Sequence, residues 1–190
     1  MLVERLRSHG IEPVLVREPG GTAISEKIRE ILLSPEHNEM VSRTEILLYE
    51  AARAQLVHQK LIPLLKKGEY LIADRFFDST TAYQGYGRGL DLSVVQMLNR
   101  FATSGLVPYR TFFIDISPEE AERRWRNTRQ PGDRLESGGR EFFRRIREGF
   151  LMLCESEKHR FLRIDGERPP EEIAADIWNH LRPLWNLPGG

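Results

Sequence analysis

The stretch that most constrains this chain runs from Tyr70 to Arg88, YLIADRFFDSTTAYQGYGR. It opens as a short apolar strand, Tyr70 to Ala73, and stops at an acid–base doublet, Asp74-Arg75. Hydroxyls at Ser79, Thr80 and Thr81 follow, then the phenol of Tyr83, the amide of Gln84 and a glycine-spaced loop. An apolar strand needs no charge at its end in order to fold. In open α/β sheets ligands bind in the crevice beyond the strands' carboxyl ends, so this strand end reads as a binding site. The competing reading makes Asp74 the cap of the next helix within an ordinary polar loop.

The rest of the chain repeats the arrangement. Pro13 to Val16 is a second short apolar strand that ends in charge, Arg17-Glu18-Pro19-Gly20-Gly21. The paired glycines permit a tight turn or a close backbone approach, and Thr22 is placed to cap the helix after them. Ser42-Arg43-Thr44-Glu45 has the pattern of a capping box and starts a long helix, kinked near Pro63. On that helix Tyr49 and Arg53 are four apart and share a face. Thr111 to Ile116 is a near-continuous apolar strand, as expected where both faces are covered, and it carries Asp115. Ser117-Pro118-Glu119-Glu120 supplies a cap, an N1 proline and a capping-box glutamate. A basic helix with Arg123, Arg124, Arg126 and Arg129 then leads into QPGDRLESGGR, a glycine-bracketed loop around Arg134. As a bare charge run this is a solvated helix face. As an arginine lid over 129–141 it is the device that brings positive charge onto a transferring phosphate. Trp178 and Trp185, seven apart in the last helix, fall on one stripe of core or subunit contact.

Strands alternating with helices give an α/β fold with a mostly parallel sheet and helices on both faces, in a single domain over residues 1–190. Lys+Arg and Asp+Glu are balanced at 28 each, so net charge gives no reason to expect a nucleic-acid or membrane partner. The amino-terminal residues are too polar for a signal peptide, and no apolar run approaches a membrane span; a cytoplasmic protein is expected. The lone cysteine, Cys154, lies in an apolar helical pattern and reads as a structural thiol. The five histidines have no zinc spacing. There is no Gly-x-Ser-x-Gly elbow and no dinucleotide fingerprint. What remains is a set of charged strand ends (Arg17, Asp74-Arg75, Asp115) and the arginine-rich segment. Guanidiniums converging on one sheet edge suit a phosphate ester, which arginine grips in bidentate fashion.

The same residues resemble a known family. REPGGT at Arg17 to Thr22, YEAARAQ at Tyr49 to Gln55 and DRFFDSTTAYQGYGRGLD at Asp74 to Asp91 are similar to the signature blocks of bacterial thymidylate kinases. FIDISPEEAERR and DRLE at Asp133 to Glu136 follow in the family's order, and the resemblance runs along essentially the whole chain. It implies a P-loop-kinase-like fold and transfer of phosphate from ATP, with Mg2+, to thymidine monophosphate. By position, Tyr49 would stack on the base and Arg53 contact it. Arg75 and Arg17 would hold the monophosphate, with Glu18 beside them. Ser79, Thr80, Tyr83 and Gln84 would line the nucleoside pocket. Asp74 would lie near the metal and phosphates, and Arg134 with Arg129 would stabilise the transferring phosphoryl group. The family also implies a homodimer.

One departure stands out. The family's opening strand and its Gly-x-x-x-x-Gly-Lys-Ser/Thr loop have no counterpart in these 190 residues. The resemblance therefore implies a shortened start, by on the order of twenty residues for a strand–loop–helix unit. The missing strand would be central to the sheet. The expected activity is thymidylate phosphorylation, with two alternatives: another deoxynucleotide or deoxynucleoside kinase, and a thymidylate-binding module without catalysis.

Overall fold

A computed structural model describes residues 1–128, 134 and 139–186. The elements run α1 (Leu2–Ser8), β1 (Val14–Arg17), α2 (Ala23–Leu33), α3 (Ser42–Leu56), α4 (Ile62–Lys66), β2 (Leu71–Asp74) and α5 (Phe77–Thr80). They continue as α6 (Leu92–Thr103), β3 (Thr111–Asp115), α7 (Pro118–Thr128), α8 (Gly139–Ser156), β4 (Phe161–Asp165) and α9 (Pro170–Leu181). The strands are parallel, as expected. They form two pairs, β1 with β2 and β3 with β4. Among the described residues no strand joins the pairs, so the expected single sheet is two ribbons. Covered faces are correspondingly incomplete: Leu15 on β1 and Ile114 on β3 are exposed.

One core gathers Val16, Leu56, Val57, Leu61 and Phe76, so β1, α3 and the start of α5 share it. Burying an aliphatic or aromatic side chain of this size contributes about 1.5–3 kcal/mol. Ser25 ties α2 to α3 inside this region, its hydroxyl donating to the Ala52 carbonyl at 2.8 Å. Between α3 and α4 the helix takes a π-helical turn, Val57–Leu61. Pro63 has no N–H to continue the ladder, and a shifted register absorbs the defect.

The stretch Thr81–Gly87, expected as a glycine-spaced loop, is a π-helical continuation of α5. Its glycines serve packing. A Cβ on Gly87 would lie 2.7 Å from the Phe142 ring of α8, so only glycine lets the two helices approach. Ala82, Phe142 and Ile146 form the second core there, with Tyr83, Phe143 and Phe150 against it.

Three other expectations need correction. Ser42 is the first residue of α3 rather than its cap, and Glu45 makes no capping box. Its carboxylate is fully buried elsewhere, as described below. Asp115 does not reach the ligand crevice. It is buried between Arg147, at 2.7 Å, and Arg163, at 2.7 Å, and so locks α8 and β4 onto β3. The tryptophan stripe is also broken, because α9 ends at Leu181. Trp178 is buried beside His9 and Arg5 of the α1 region, whereas Trp185 packs edge-on against Tyr70. Cys154 is half-buried and free.

Candidate active site

The carboxyl ends of β1, β2 and β3 open on a cavity of about 830 Å³. Arg17, Glu18 and Pro19 line it from β1, and Asp74, Arg75 and Phe76 from β2. Tyr49 and Arg53 come from α3, one turn apart on the face expected. Ser79, Thr80, Tyr83 and Gln84 close a wall from α5 and the π-helical segment. Ile116, Pro118, Ala121 and Glu122 follow β3, while Gly139, Arg140 and Phe143 belong to α8. Every expected site residue is thus on this wall except two. Arg129 lies outside the described residues, as does most of the expected lid. Arg134 is described, and it is buried away from the wall.

The local sequence explains the shape of the β1 end. Gly20 and Gly21 both have positive φ, 139° and 87°. At Gly21 a Cβ would also meet Leu56 at 2.9 Å. The turn delivers the Gly21 N–H to Glu26 at 2.7 Å, and Glu26 in turn receives Arg17 at 3.0 Å. Thr22 caps α2 as expected, accepting from the Ser25 N–H. That backbone hydrogen bond from Gly21, with the Arg17 charge, holds the Glu26 carboxyl below its usual range.

Arg53 is the most heavily bound group of the site. Its Nε donates to Glu18 at 2.8 Å and its Nη1 to Thr80 at 3.0 Å, and it also pairs with Glu50. Its side chain is 2% exposed. Two carboxylates on one guanidinium leave a buried excess of negative charge. Burial pushes the Glu18 carboxyl above its usual range, more than Arg53 pulls it down. Arg75 adopts a positive φ of 68°, a region that costs a non-glycine residue roughly 1–2 kcal/mol. Such strain persists where the surrounding structure enforces it. Here it directs the guanidinium over the Tyr83 ring, 5.1 Å from its centroid, at the cavity edge.

Arg134, expected to contact the transferring phosphoryl group, is held inside the protein in this structure. Its side chain is 4% exposed and pairs with Glu45 at 2.6 Å. Its Nε donates to the Leu32 carbonyl at the end of α2. Sequence reading missed Glu45, whose capping pattern disguised it, and also Glu122, Arg140 and Phe143 of the far wall. Arg140 directly follows the Gly138-Gly139 pair, which was the available signal; it pairs with Glu119.

Three carboxylates line the cavity, Glu18, Asp74 and Glu122, and Arg53 holds the first of them. Asp74 and Glu122 are on the wall, and no cluster of three His, Cys, Asp or Glu able to hold a metal alone exists among the described residues. That donor set fits Mg2+, which is held by one or two carboxylates together with water and substrate phosphates.

A family model described as thymidylate kinase matches residues 1–177. The chain belongs to the thymidylate kinase family. It is 49% identical over 179 residues to a thymidylate kinase of Carboxydothermus hydrogenoformans, covering 94% of this chain and 86% of that protein. It is 43% identical over 180 residues to one from an Exiguobacterium species, covering 95% and 84%. A thymidylate kinase of Caldanaerobacter subterraneus is 48% identical over 166 residues, 87% and 78% of the two chains. Membership carries the P-loop-kinase-like α/β fold, consistent with the parallel strands and their helices. The three expected signature blocks of the thymidylate kinase family are the segments that meet around the cavity.

Proposed function

We propose that the chain phosphorylates thymidine monophosphate to thymidine diphosphate with ATP as donor, and that the cavity holds the acceptor nucleotide. The observation that carries this reading is the convergence of REPGG, YEAAR and DRFFDSTTAYQG, distant in sequence, on one cavity at the strand ends. Tyr49 offers a ring for stacking, Ser79, Thr80 and Gln84 offer hydrogen bonds, and Arg75 and Arg17 offer charge to the phosphate. Phosphoryl transfer needs in-line positioning and charge neutralisation more than covalent help. Asp74, on the cavity wall, would help to hold Mg2+, which would supply part of that charge neutralisation. Arg75 fixes the acceptor phosphate, and Arg134 with Arg129 is assigned to the transferring phosphoryl group from the family pattern alone.

Residues 1–190 act as one domain; the expected lid, 129–141, lies mostly outside the described residues. A cytoplasmic location suits a kinase of free nucleotides; among the described residues no helix is long and apolar enough to cross a membrane. It acts on nucleotides rather than nucleic acid, and as a homodimer. Val94, Met97 and Phe101 form an exposed apolar stripe on α6, with Phe101 81% exposed, and Leu47 of α3 is exposed as well. A second copy would cover such a patch. Sedimentation of the wild type should give a dimer, and Phe101→Glu a monomer; a monomeric wild type would contradict the assignment.

Equilibrium binding of nucleoside monophosphates tests the function. Thymidine monophosphate should bind and deoxycytidine or deoxyguanosine monophosphate should bind far more weakly. Equal affinity for all of them would overturn the thymidylate assignment.

A further inference from the structure

The buried Glu45 carboxylate has no part in the expected site, yet it touches the cavity wall through one residue. Gln84 donates its Nε2 to Glu45 at 2.9 Å. Arg88 donates twice, from Nε and Nη2, each at 3.1 Å. Arg134 completes the set at 2.6 Å. Glu45 is 0% exposed. A buried carboxylate facing two guanidiniums stays ionised, and an ionised carboxylate only accepts hydrogen bonds. Gln84 must therefore turn its NH2 toward Glu45. Glu45 takes one of its N–H groups and the amide makes no other hydrogen bond among the described residues, so the carbonyl oxygen is the end of the amide turned away from Glu45, on the residue that lines the cavity.

We propose that Glu45 is a positioning residue for base selection: it fixes the Gln84 amide so that an acceptor, not a donor, meets the nucleotide's base. Such a wall favours a base carrying a ring N–H, as thymine does, over cytosine, whose corresponding ring nitrogen is an acceptor. Specificity of this kind is strong because a mismatch leaves buried polar groups unpaired. Arg88 and Arg134 serve it by holding the charge on Glu45, and the Arg134 bond to the Leu32 carbonyl ties that charge to the end of α2. Burial alone would raise the Glu45 carboxyl, but the bonds from Arg88, Gln84 and Arg134 hold it below its usual range, in keeping with an acceptor that is never protonated near neutrality.

The proposal rests on the thymidylate reading, and the test separates the two. Affinities for thymidine and deoxycytidine monophosphates are measured for the wild type and for Glu45→Gln, with the unfolding midpoint of each. In Glu45→Gln the partner can donate as well as accept, so Gln84 is free to flip. The thymidine-to-deoxycytidine preference should fall by about tenfold, the scale on which residues outside a site tune it. A lower midpoint with the preference unchanged makes Glu45 merely structural and overturns the proposal. A wild type that does not bind thymidine monophosphate overturns the thymidylate reading itself. Should Glu45→Gln fail to fold, NMR of the wild type decides: the Gln84 side-chain NH2 signals should barely move on addition of thymidine monophosphate. A large shift of those signals would mean that the NH2 faces the base, and the proposal would fall.

Discussion

Arg53 and Glu18 meet at 2.7 Å inside the protein, their side chains 2% and 4% exposed. Glu50 holds the other end of the same guanidinium, so the two partners of Arg53 are not equivalent in what they leave behind. Glu18→Gln leaves a neutral Arg53–Glu50 pair and should cost little, about 1 kcal/mol for the weakened hydrogen bond. Arg53→Met strands two buried carboxylates and should cost about 3–5 kcal/mol. Urea unfolding of the two variants measures the difference, and equal losses would contradict the charge count.

Arg75 combines a left-handed backbone with a functional side chain. Arg75→Ala and Arg75→Gly remove the same guanidinium, so their comparison isolates the backbone. The glycine variant should be the more stable by about 1 kcal/mol, although both lose phosphate binding. Thermal unfolding of the pair checks this. An alanine variant as stable as the glycine one would mean that the position relaxes.

The pH dependence has two signs. Burial raises the Asp115 carboxyl, but hydrogen bonds and charge from Arg147 and Arg163 outweigh it and hold the group low; Glu45 is held low in the same way. For such groups the unfolded chain binds more protons, so their stabilisation is present above the ordinary carboxyl range and lost as pH falls through the lower folded value. Glu18 is raised, so there the folded protein binds more protons and stability declines as pH rises from the ordinary range through the raised value. Urea midpoints against pH should therefore drop steeply below about pH 4. Glu18→Gln should flatten the slope just above that range while leaving the acid limb in place.

Cys154 should be slow to react. Burial pushes its thiol up to about 11, and only the thiolate is nucleophilic, so alkylation near pH 8 should run on the order of a hundredfold slower than for an ordinary cysteine. A rate matching that of free cysteine would contradict the packing of α8 around it.

The sequence made the strands and most of the cavity legible because short apolar runs ending in charge are a local signal. Thr22 is a helix cap as its spacing suggests. Partnership was not legible. Asp115 and Asp74 look alike at the ends of apolar strands, yet among the described residues arginines far along the chain pair with the first and not with the second. Glu45 fits a capping pattern perfectly well by position, but burial beneath Gln84 and two arginines captures it. The glycines after Gln84 suggested a loop, since nothing local reveals that Phe142 will press against Gly87. In each case a contact across the fold overrode a local preference.

The most direct measurement is calorimetric titration of the wild type and Arg75→Ala with thymidine monophosphate and with thymidine. The wild type should bind the monophosphate, and Arg75→Ala should lose about 1.5–3 kcal/mol of that affinity, the scale of a hydrogen bond to a charged group, with thymidine binding unchanged. If the wild type does not bind the monophosphate, or the variant binds it equally well, the cavity at the ends of β1 and β2 is not the acceptor site.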